Sequence, residues 1–356
     1  MISIDKIIED VLTSIEPPLS EERINFNVAN LGSLPNEILD NVKKFEKYFQ
    51  TPKALYSLRD FLIPKILQEV NILHPNQEFS LHYTNGSTFN LNLLLICLSN
   101  YFKRKLNILC SKHEHEGVTI PCSNLGNCFF YKNDFEKKII EIKSKKIKID
   151  IFIISYHSYI DGKKSNINEA KKILNYYYPD CLIILDLAQS FSSKNIDFKD
   201  VDICFSSSHK WLCGRNGTGF IWISDKTEEA FKNLFKFYGS QSVNNDMGVP
   251  GSSDFLGVLE NYIALKIRNS KSIGFGSLSK KFIDSQVIPI SLCNDSFYTI
   301  PTTKIKDPYS TYLQILNDGL DIKYLAEYSL YRITIPYLLD QRSIDKGCDI
   351  LRKNLG

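Results

Sequence analysis

The sequence predicts an α/β fold, in which a mostly parallel central sheet lies between helix layers and a smaller α+β domain follows at the C-terminal end. Short apolar runs rich in Ile, Val and Phe alternate with longer segments of helical period. These runs are apolar on both faces, which is typical of strands covered by helices on either side. The alternation changes after about Ser252. We therefore expect a large domain at 15–255, a small domain at 256–356 and a packed helix within 1–14.

The elements follow this pattern in chain order. Strands are predicted at 79–84, 106–111, 151–156, 181–186, 201–206 and 219–224. Helices are predicted between them at 89–102, 168–177 and 226–237. The small domain is predicted to contain a helix at 254–267, apolar segments at 287–292, 309–316 and 331–336, and a closing helix at 341–355.

Composition excludes several classes of protein. The 356 residues are 43% hydrophobic and 23% charged with a net charge of +3, which gives no global attraction to nucleic acid or to an anionic membrane. The nine cysteines form no C-x-x-C pair, which argues against a disulfide framework or a metal site and for a reducing compartment. The N-terminus lacks signal-peptide character, and no apolar run approaches the roughly 20 residues of a membrane span. We expect a cytoplasmic protein.

The segment TNGSTFNLNL (84–93) is the first of three that end a predicted strand, where open α/β sheets place their ligands. Gly86 permits a tight turn into the helix. Ser87 and Thr88 stand where their hydroxyls and the free N–H groups of the first turn can bind a phosphate. Ordinary helix capping explains the same two residues.

The segments LDLAQS and SSHKWLCG carry the other two features. Asp186 ends a predicted strand, where its carboxylate can pair with the protonated pyridine nitrogen of a ligand or cap a helix. Lys210 follows the next strand among apolar neighbours, and loss of hydration there lowers the pKa of an amine and makes it a nucleophile able to form a Schiff base. A surface lysine is the alternative. Cys213 is better explained as a buried thiol than as a nucleophile.

Together, the motifs GST, EHEGVTIP, SYHSYIDG, DLAQ and SSHKWLCGxxGTGF resemble the class V aminotransferase family of fold-type I enzymes, which use pyridoxal 5′-phosphate (PLP). The nearest likeness is to the isopenicillin N epimerase-like and cysteine desulfurase-like branches. It begins at about Asn25, in NFNVANLGSLP, and runs to about Pro336. The resemblance implies the PLP transferase fold and an amino-acid substrate.

The resemblance also implies a role for each matching residue. Lys210 carries the cofactor, Asp186 pairs with its ring nitrogen, Gln189 contacts its ring oxygen and His115 stacks on the ring. The residues implied to bind the phosphate are Ser87, Thr88, Ser207, His209 and, from a neighbouring subunit, Ser252. Arg332, in YRITIP, is implied to bind the substrate's α-carboxylate, and Asn27 to contact the substrate as well. The alternative for Arg332 is a surface arginine. A homodimer with shared active sites follows.

Two positions depart from the family's pattern. Tyr159 replaces the Asn found beside the ring oxygen in many relatives, and the Arg-x-Gly-x-x-Cys loop of one desulfurase group is absent. The resemblance favours β-elimination or carbon–sulfur lyase chemistry that begins with removal of the α-proton. An aminotransferase, an epimerase and a catalytically silent binding protein on the same scaffold remain alternatives.

Overall fold

The structure, a computed structural model, describes residues 23–356 except for 33, 35, 46–50, 76–77, 133, 192–195, 197–200, 231–254, 271–290 and 295–296. The described strands are β1 (Ile24–Asn25), β2 (Phe79–Thr84), β3 (Leu106–Ser111), β4 (Gly126–Tyr131), β5 (Ile151–Ser155), β6 (Leu182–Asp186), β7 (Ile203–Ser207), β8 (Gly219–Ser224), β9 (Ser291–Asn294), β10 (Phe297–Pro301), β11 (Leu320–Asp321), β12 (Lys323–Leu325) and β13 (Leu330–Thr334).

The described helices are α1 (Asn36–Phe45), α2 (Pro52–Leu73), α3 (Ser87–Phe102), α4 (Glu116–Leu125), α5 (Phe135–Ser144), α6 (Ile167–Tyr177), α7 (Asp225–Ala230), α8 (Phe255–Ser270), α9 (Pro308–Asn317) and α10 (Gln341–Leu355). Several begin at a side-chain cap. Asp307 and Asp340, for example, accept hydrogen bonds from the backbone N–H groups of Ser310 and Ser343, which satisfies free donors of the first turn. None of the helices in the described part of the chain is long and apolar enough to cross a membrane.

The large sheet has seven strands in the order β2-β8-β7-β6-β5-β3-β4. β8 runs antiparallel to β2 and β7, and all other neighbouring pairs are parallel. The predicted mostly parallel sheet is thus confirmed. Its parallel strands end at one edge, which brings Ser155, Asp186 and Ser207 together there.

Helices cover both faces of this sheet, as the two-sided apolar runs predict. Alternate residues of β5 show the division: Ile151 and Ile153 pack in the core that includes α3 and α4, whereas Phe152 and Ile154 pack with α2, α5, α6 and α8. Such alternation is the period of two expected of a strand. A strand buried in this way is rigid, so the residue that ends it is held in place.

A second sheet, antiparallel and ordered β12-β13-β10-β9, forms the C-terminal part with α9 and α10. Its hydrophobic core also contains Phe26, fully buried beside the start of the described chain. There β1 pairs in parallel with β11, with Ile24 opposite Leu320. The N-terminal segment therefore packs with the C-terminal sheet before it reaches the large domain; the division at 255 stays a prediction.

All six strands predicted in the large domain are present, although β7 begins two residues later than predicted. The sequence did not predict α1, α2, α4 or the edge strand β4, and the apolar segment 309–316 lies in the helix α9. Of the segment predicted as a helix at 226–237, α7 covers the described part. Most of 287–292 and all of 1–14, where a packed helix is predicted, lie outside the described residues.

Candidate active site

A cavity of about 360 Å³ opens at the carboxyl edge of the large sheet, where ligands of open α/β folds bind. Its wall includes residues from the ends of β5, β6 and β7, from the N-terminal segment and from the C-terminal sheet. The predicted site residues that line it are Ser87, Thr88, His115, Tyr159, Asp186, Gln189, Ser207, His209, Lys210 and Arg332. Asn27 is not part of this wall, and Ser252 lies outside the described residues.

The turn that carries Lys210 is held from two sides. The Cys213 N–H donates to the Lys210 carbonyl at 2.9 Å, and the Gly32 N–H donates to the His209 carbonyl at 2.6 Å. A Cβ atom at position 32 would lie 2.3 Å from the Lys210 carbonyl oxygen, so only glycine allows this approach. The N-terminal segment thus supports the backbone of Lys210 from behind.

Lys210 and Asp186 bring opposite charges into the wall of the same cavity. Burial lowers the pKa of Lys210, an effect that the negative charge of Asp186 opposes and the positive charge of Arg332 reinforces. Burial likewise raises the pKa of Asp186, against its hydrogen bond from the Ala188 N–H at 2.7 Å and the charge of Lys210. The lowered pKa increases the uncharged, nucleophilic fraction of the amine, and the fixed carboxylate favours a cation placed beside it.

One end of the cavity offers donors suited to a phosphate. Gly86, with φ of 104°, begins α3 without a side-chain cap, which leaves the first N–H groups of the helix available. Buried Ser87 Oγ, Ser207 Oγ and His209 Nδ1 have no hydrogen-bond partner within the described chain. Burial, together with the charge of Lys210, lowers the pKa of His209 to about 4, so its ring is neutral. Unpartnered buried polar atoms around a helix N-terminus fit a phosphate group.

His115 forms another part of the wall. It caps α4, with Nδ1 accepting a hydrogen bond from the Gly117 N–H at 2.9 Å. Its ring packs edge-on against Tyr159, with centroids 5.2 Å apart and planes at 90°. Burial lowers its pKa, and the positive charge of Lys210 adds to this. The neutral ring is a flat surface fixed at one edge, which suits stacking against an aromatic ligand.

Gln189 lines the cavity, and two of the hydrogen bonds of its side-chain amide go to neighbouring protein groups. Its Nε2 donates to the Ala29 carbonyl at 3.0 Å, and its Oε1 accepts from Trp211 Nε1 at 2.8 Å. One N–H of the amide remains for the predicted contact with a ring oxygen. The two bonds fix the orientation of the amide.

Arg332 is buried, with 3% of its surface exposed, so the alternative of a surface arginine is wrong. Its Nη1 donates to the Tyr159 carbonyl at 2.6 Å and its Nη2 to Asn27 Oδ1 at 3.5 Å, while Nε has no partner among the described residues. Burial lowers its pKa to about 10, which leaves it charged at neutral pH. Asn27, predicted to bind substrate, contacts the arginine instead of lining the cavity.

Two residues beside or in this site were missed by sequence reasoning. Glu114 accepts hydrogen bonds from the N–H of Ser155, at 3.0 Å, and from its hydroxyl, and Ser155 lies opposite Asp186 in the sheet. Burial raises the pKa of Glu114 to about 7 in spite of those hydrogen bonds. Its signal was the EHEGVTIP motif, in which only His115 had been assigned a role. Lys323, the second residue, lies in the wall but in no recognisable motif.

Cysteines are absent from the described cavity wall. None of the eight cysteines whose side chains the structure describes forms a disulfide. Cys213 is buried, as expected. Within the described residues no group of His, Cys, Asp and Glu side chains could hold a metal ion.

Comparisons with known proteins identify the family and the fold. A sequence profile described as aminotransferase class-V matches residues 69–246. Cysteine desulfurase SufS of Plasmodium falciparum is 28% identical over 187 residues, which are 46% of this chain and 33% of that protein. The putative cysteine desulfurase PbSufS of Plasmodium berghei is 25% identical over 250 residues, 62% of this chain and 46% of that protein. The chain thus spans a third to a half of the length of these curated relatives.

The fold is similar to that of solved structures over nearly its whole length. The cystine C-S lyase C-DES, in complex with its reaction product cysteine persulfide, has a TM-score of 0.72 at 15% identity, with 94% of this chain and 97% of that chain covered. A NifS-like protein has a TM-score of 0.72 at 14% identity, with 93% and 98% covered. These likenesses confirm the fold predicted from the sequence motifs.

Proposed function

The chain belongs to the class-V aminotransferase family of PLP-dependent enzymes, and from this premise we propose that it cleaves a carbon–sulfur bond at the β-carbon of an amino acid. The observation that carries the proposal is the single cavity lined by Lys210, Asp186 and Arg332, with unpartnered Ser87 and Ser207 hydroxyls at one end. An amine, a carboxylate and a carboxylate-binding guanidinium are the groups that this chemistry needs.

The residues present fit PLP. The α3 N-terminus, Ser87, Thr88, Ser207 and His209 would hold its phosphate, since buried polar atoms of Ser87, Ser207 and His209 have no other partner among the described residues. His115 would cover one face of the ring. When bound, PLP supplies an electron sink for the electrons released at the substrate's α-carbon.

Lys210 has two tasks in this proposal. Its amine would bind the cofactor covalently until an amino acid replaces it, and the freed Nζ would then accept the α-proton of the substrate. The lowered pKa of Lys210 serves both tasks, because only the uncharged amine is a nucleophile or a base. Asp186, fixed by the Ala188 N–H, would keep the ring nitrogen protonated.

Arg332 would orient the substrate. Its rigid planar guanidinium, buried and anchored to the Tyr159 carbonyl, can bind the α-carboxylate through two parallel hydrogen bonds. That contact would fix the α-hydrogen relative to Lys210. Binding through an anchored group lowers the entropic cost of reaching the reactive geometry.

The names of the relatives support sulfur chemistry. Two curated relatives are called cysteine desulfurases, and a protein of similar fold is a cystine C-S lyase. For cysteine, elimination would yield pyruvate, ammonia and sulfide. Transfer of the sulfur to a thiol would instead leave alanine. Both outcomes break the same bond.

A homodimer and a cytoplasmic location belong to the same proposal. The match of Ser252 to a residue that reaches a neighbouring subunit's phosphate supports the dimer. The lack of disulfides among the described cysteines supports a reducing compartment.

The test begins with the visible absorption of PLP-loaded protein, expected for the wild type and absent for Lys210→Ala. The coloured protein is then incubated with amino acids while pyruvate, ammonia, alanine, sulfide and keto acids are measured. Release of sulfide, or of alanine with a sulfurated thiol, supports the proposal. Keto-acid formation without loss of sulfur would indicate an aminotransferase, and inversion alone an epimerase. A protein that PLP cannot colour would overturn the enzymatic proposal.

A further inference from the structure

The substrate end of the cavity carries two cations that lie on neighbouring strands. Lys323 on β12 and Arg332 on β13 are directly opposite each other in an antiparallel pair. Directly opposed residues project their side chains from the same face of a sheet, and both residues line the cavity.

The positive charge at this end exceeds what one carboxylate needs. Asp186 is the one carboxylate in the cavity wall, and Lys210 lies in the same wall to balance it. His115 and His209 have lowered pKa values and add no charge near neutral pH. Among the side chains of the described wall, no second carboxylate balances Arg332 and Lys323.

The side-chain ammonium of Lys323 has no ion pair or hydrogen bond within the described part of the chain, and the residue is half-buried. Acidic residues near the wall in sequence have other partners or are exposed, and none is part of the wall: Glu114 accepts hydrogen bonds from Ser155, Asp321 pairs with Arg23, and Glu116 and Glu327 are exposed. The positive charge of Lys323 nevertheless reaches the site, because it contributes to the lowered pKa of His115. The ammonium is therefore available to an anionic group of a ligand in the cavity.

Arg332 has too few remaining N–H donors to bind a second anionic group in addition to the α-carboxylate. Its Nη1 and Nη2 already donate to the Tyr159 carbonyl and to Asn27 Oδ1, so the remaining donors suffice for one carboxylate. Lys323, opposite Arg332 on the adjoining strand, is placed to bind a separate anionic group of the substrate.

We propose that Lys323 is a specificity-determining residue that binds a second anionic group, so that the preferred substrates are amino acids whose side chain carries a negative charge. The inference rests on the proposed function, in which Arg332 takes the α-carboxylate. Two kinds of substrate share this chemistry: an oxidised, anionic sulfur on the β-carbon, and a carboxylate carried by the sulfur substituent.

The test measures binding without turnover. Two analogues that lack an α-hydrogen, α-methylaspartate with a second carboxylate and 2-aminoisobutyrate without one, are titrated into PLP-loaded enzyme, and dissociation constants are read from the cofactor absorption. Lys323→Gln should weaken binding of α-methylaspartate by about tenfold or more, as expected for loss of an ionic hydrogen bond, and should leave 2-aminoisobutyrate unchanged. Lys323→Arg should restore most of the difference. Lys346→Gln, at an exposed lysine on α10, is the matched control and should change neither constant.

Turnover then distinguishes the two kinds of substrate. Cysteine sulfinate, S-carboxymethylcysteine and the neutral S-methylcysteine are compared by kcat/KM in wild type and Lys323→Gln. A selective loss for either anionic substrate supports the assignment and identifies the kind of anion. If Lys323→Gln changed binding and kcat/KM equally for all ligands, or for none, the role assigned to Lys323 would be overturned. The proposed lyase function would not be affected. Protein that binds no PLP would overturn the proposed function itself, and this inference with it.

Discussion

Gly32→Ala should displace the lysine that the proposed chemistry depends on, although residue 32 is distant from Lys210 in sequence. The added Cβ would lie 2.3 Å from the Lys210 carbonyl oxygen, 2.8 Å from Cys213 Sγ and 2.8 Å from Val28 Cγ2. A normal contact is about 3.5 Å, so one of the two segments must move by roughly 1 Å. Overpacking of this kind costs about 1–3 kcal/mol of folding stability. A 1 Å error in the position of a reacting group costs turnover about 100-fold.

Two measurements check this expectation. The dissociation constant for PLP and the rate of colour formation report on the position of the amine, and thermal unfolding reports on stability. Gly347→Ala is the matched control, because its Cβ would lie 2.5 Å from the Phe26 ring and strain the C-terminal core without touching Lys210. Both variants should melt at lower temperature, but only Gly32→Ala should bind PLP more slowly and lose turnover. If Gly32→Ala bound PLP and turned over substrate like the wild type, the support of Lys210 by the N-terminal segment would be refuted.

Two further predictions concern the carboxylates. Asp186→Asn should leave PLP attached to Lys210 but lower turnover by about 10²–10³-fold, because a neutral amide cannot hold the ring nitrogen protonated. Absorption after gel filtration measures the bound cofactor, and kcat measures turnover. An unchanged kcat would show that Asp186 does not have this role. Glu114→Gln should alter the pH dependence of stability: the pKa of Glu114 rises from 4.5 to about 7 on folding, so its protonated form stabilises the wild type at low pH and this contribution is lost as pH increases through that interval. The glutamine variant should not lose stability in this way. The test is the free energy of unfolding in urea, measured for both proteins across the same pH interval. Parallel pH dependence of the two proteins would contradict the prediction.

The sequence predicted the central strands because burial on both faces leaves a continuous apolar run. The edge strand β4 was missed for the opposite reason: it has one neighbour, and Phe129 and Phe130 are only half-buried. Pro121 lies inside α4, just before it, and interrupts the helical pattern that would have marked the preceding helix.

Residues of the site were predictable where they end strands. Asp186 and Lys210 follow apolar runs, and parallel strands bring such positions to one edge. Lys323 could not be found in this way, because its place in the wall arises from pairing with Arg332 in another sheet. Glu114 was visible in a motif, but its role comes from contact with Ser155, a residue distant in sequence. Contacts of this kind leave no local pattern.

The pairing of β1 with β11 has a consequence for the order of events during synthesis. Ile24 emerges from the ribosome long before Leu320, so the two cannot pair until nearly the whole described chain has been translated. Asn27 forms a β-bridge with Thr334, which likewise cannot form until residue 334 has been synthesised. Gly32 lies only a few residues further along the same segment. The pocket around Lys210 should therefore close last, so that a nascent chain cannot acquire its cofactor before its C-terminal sheet exists.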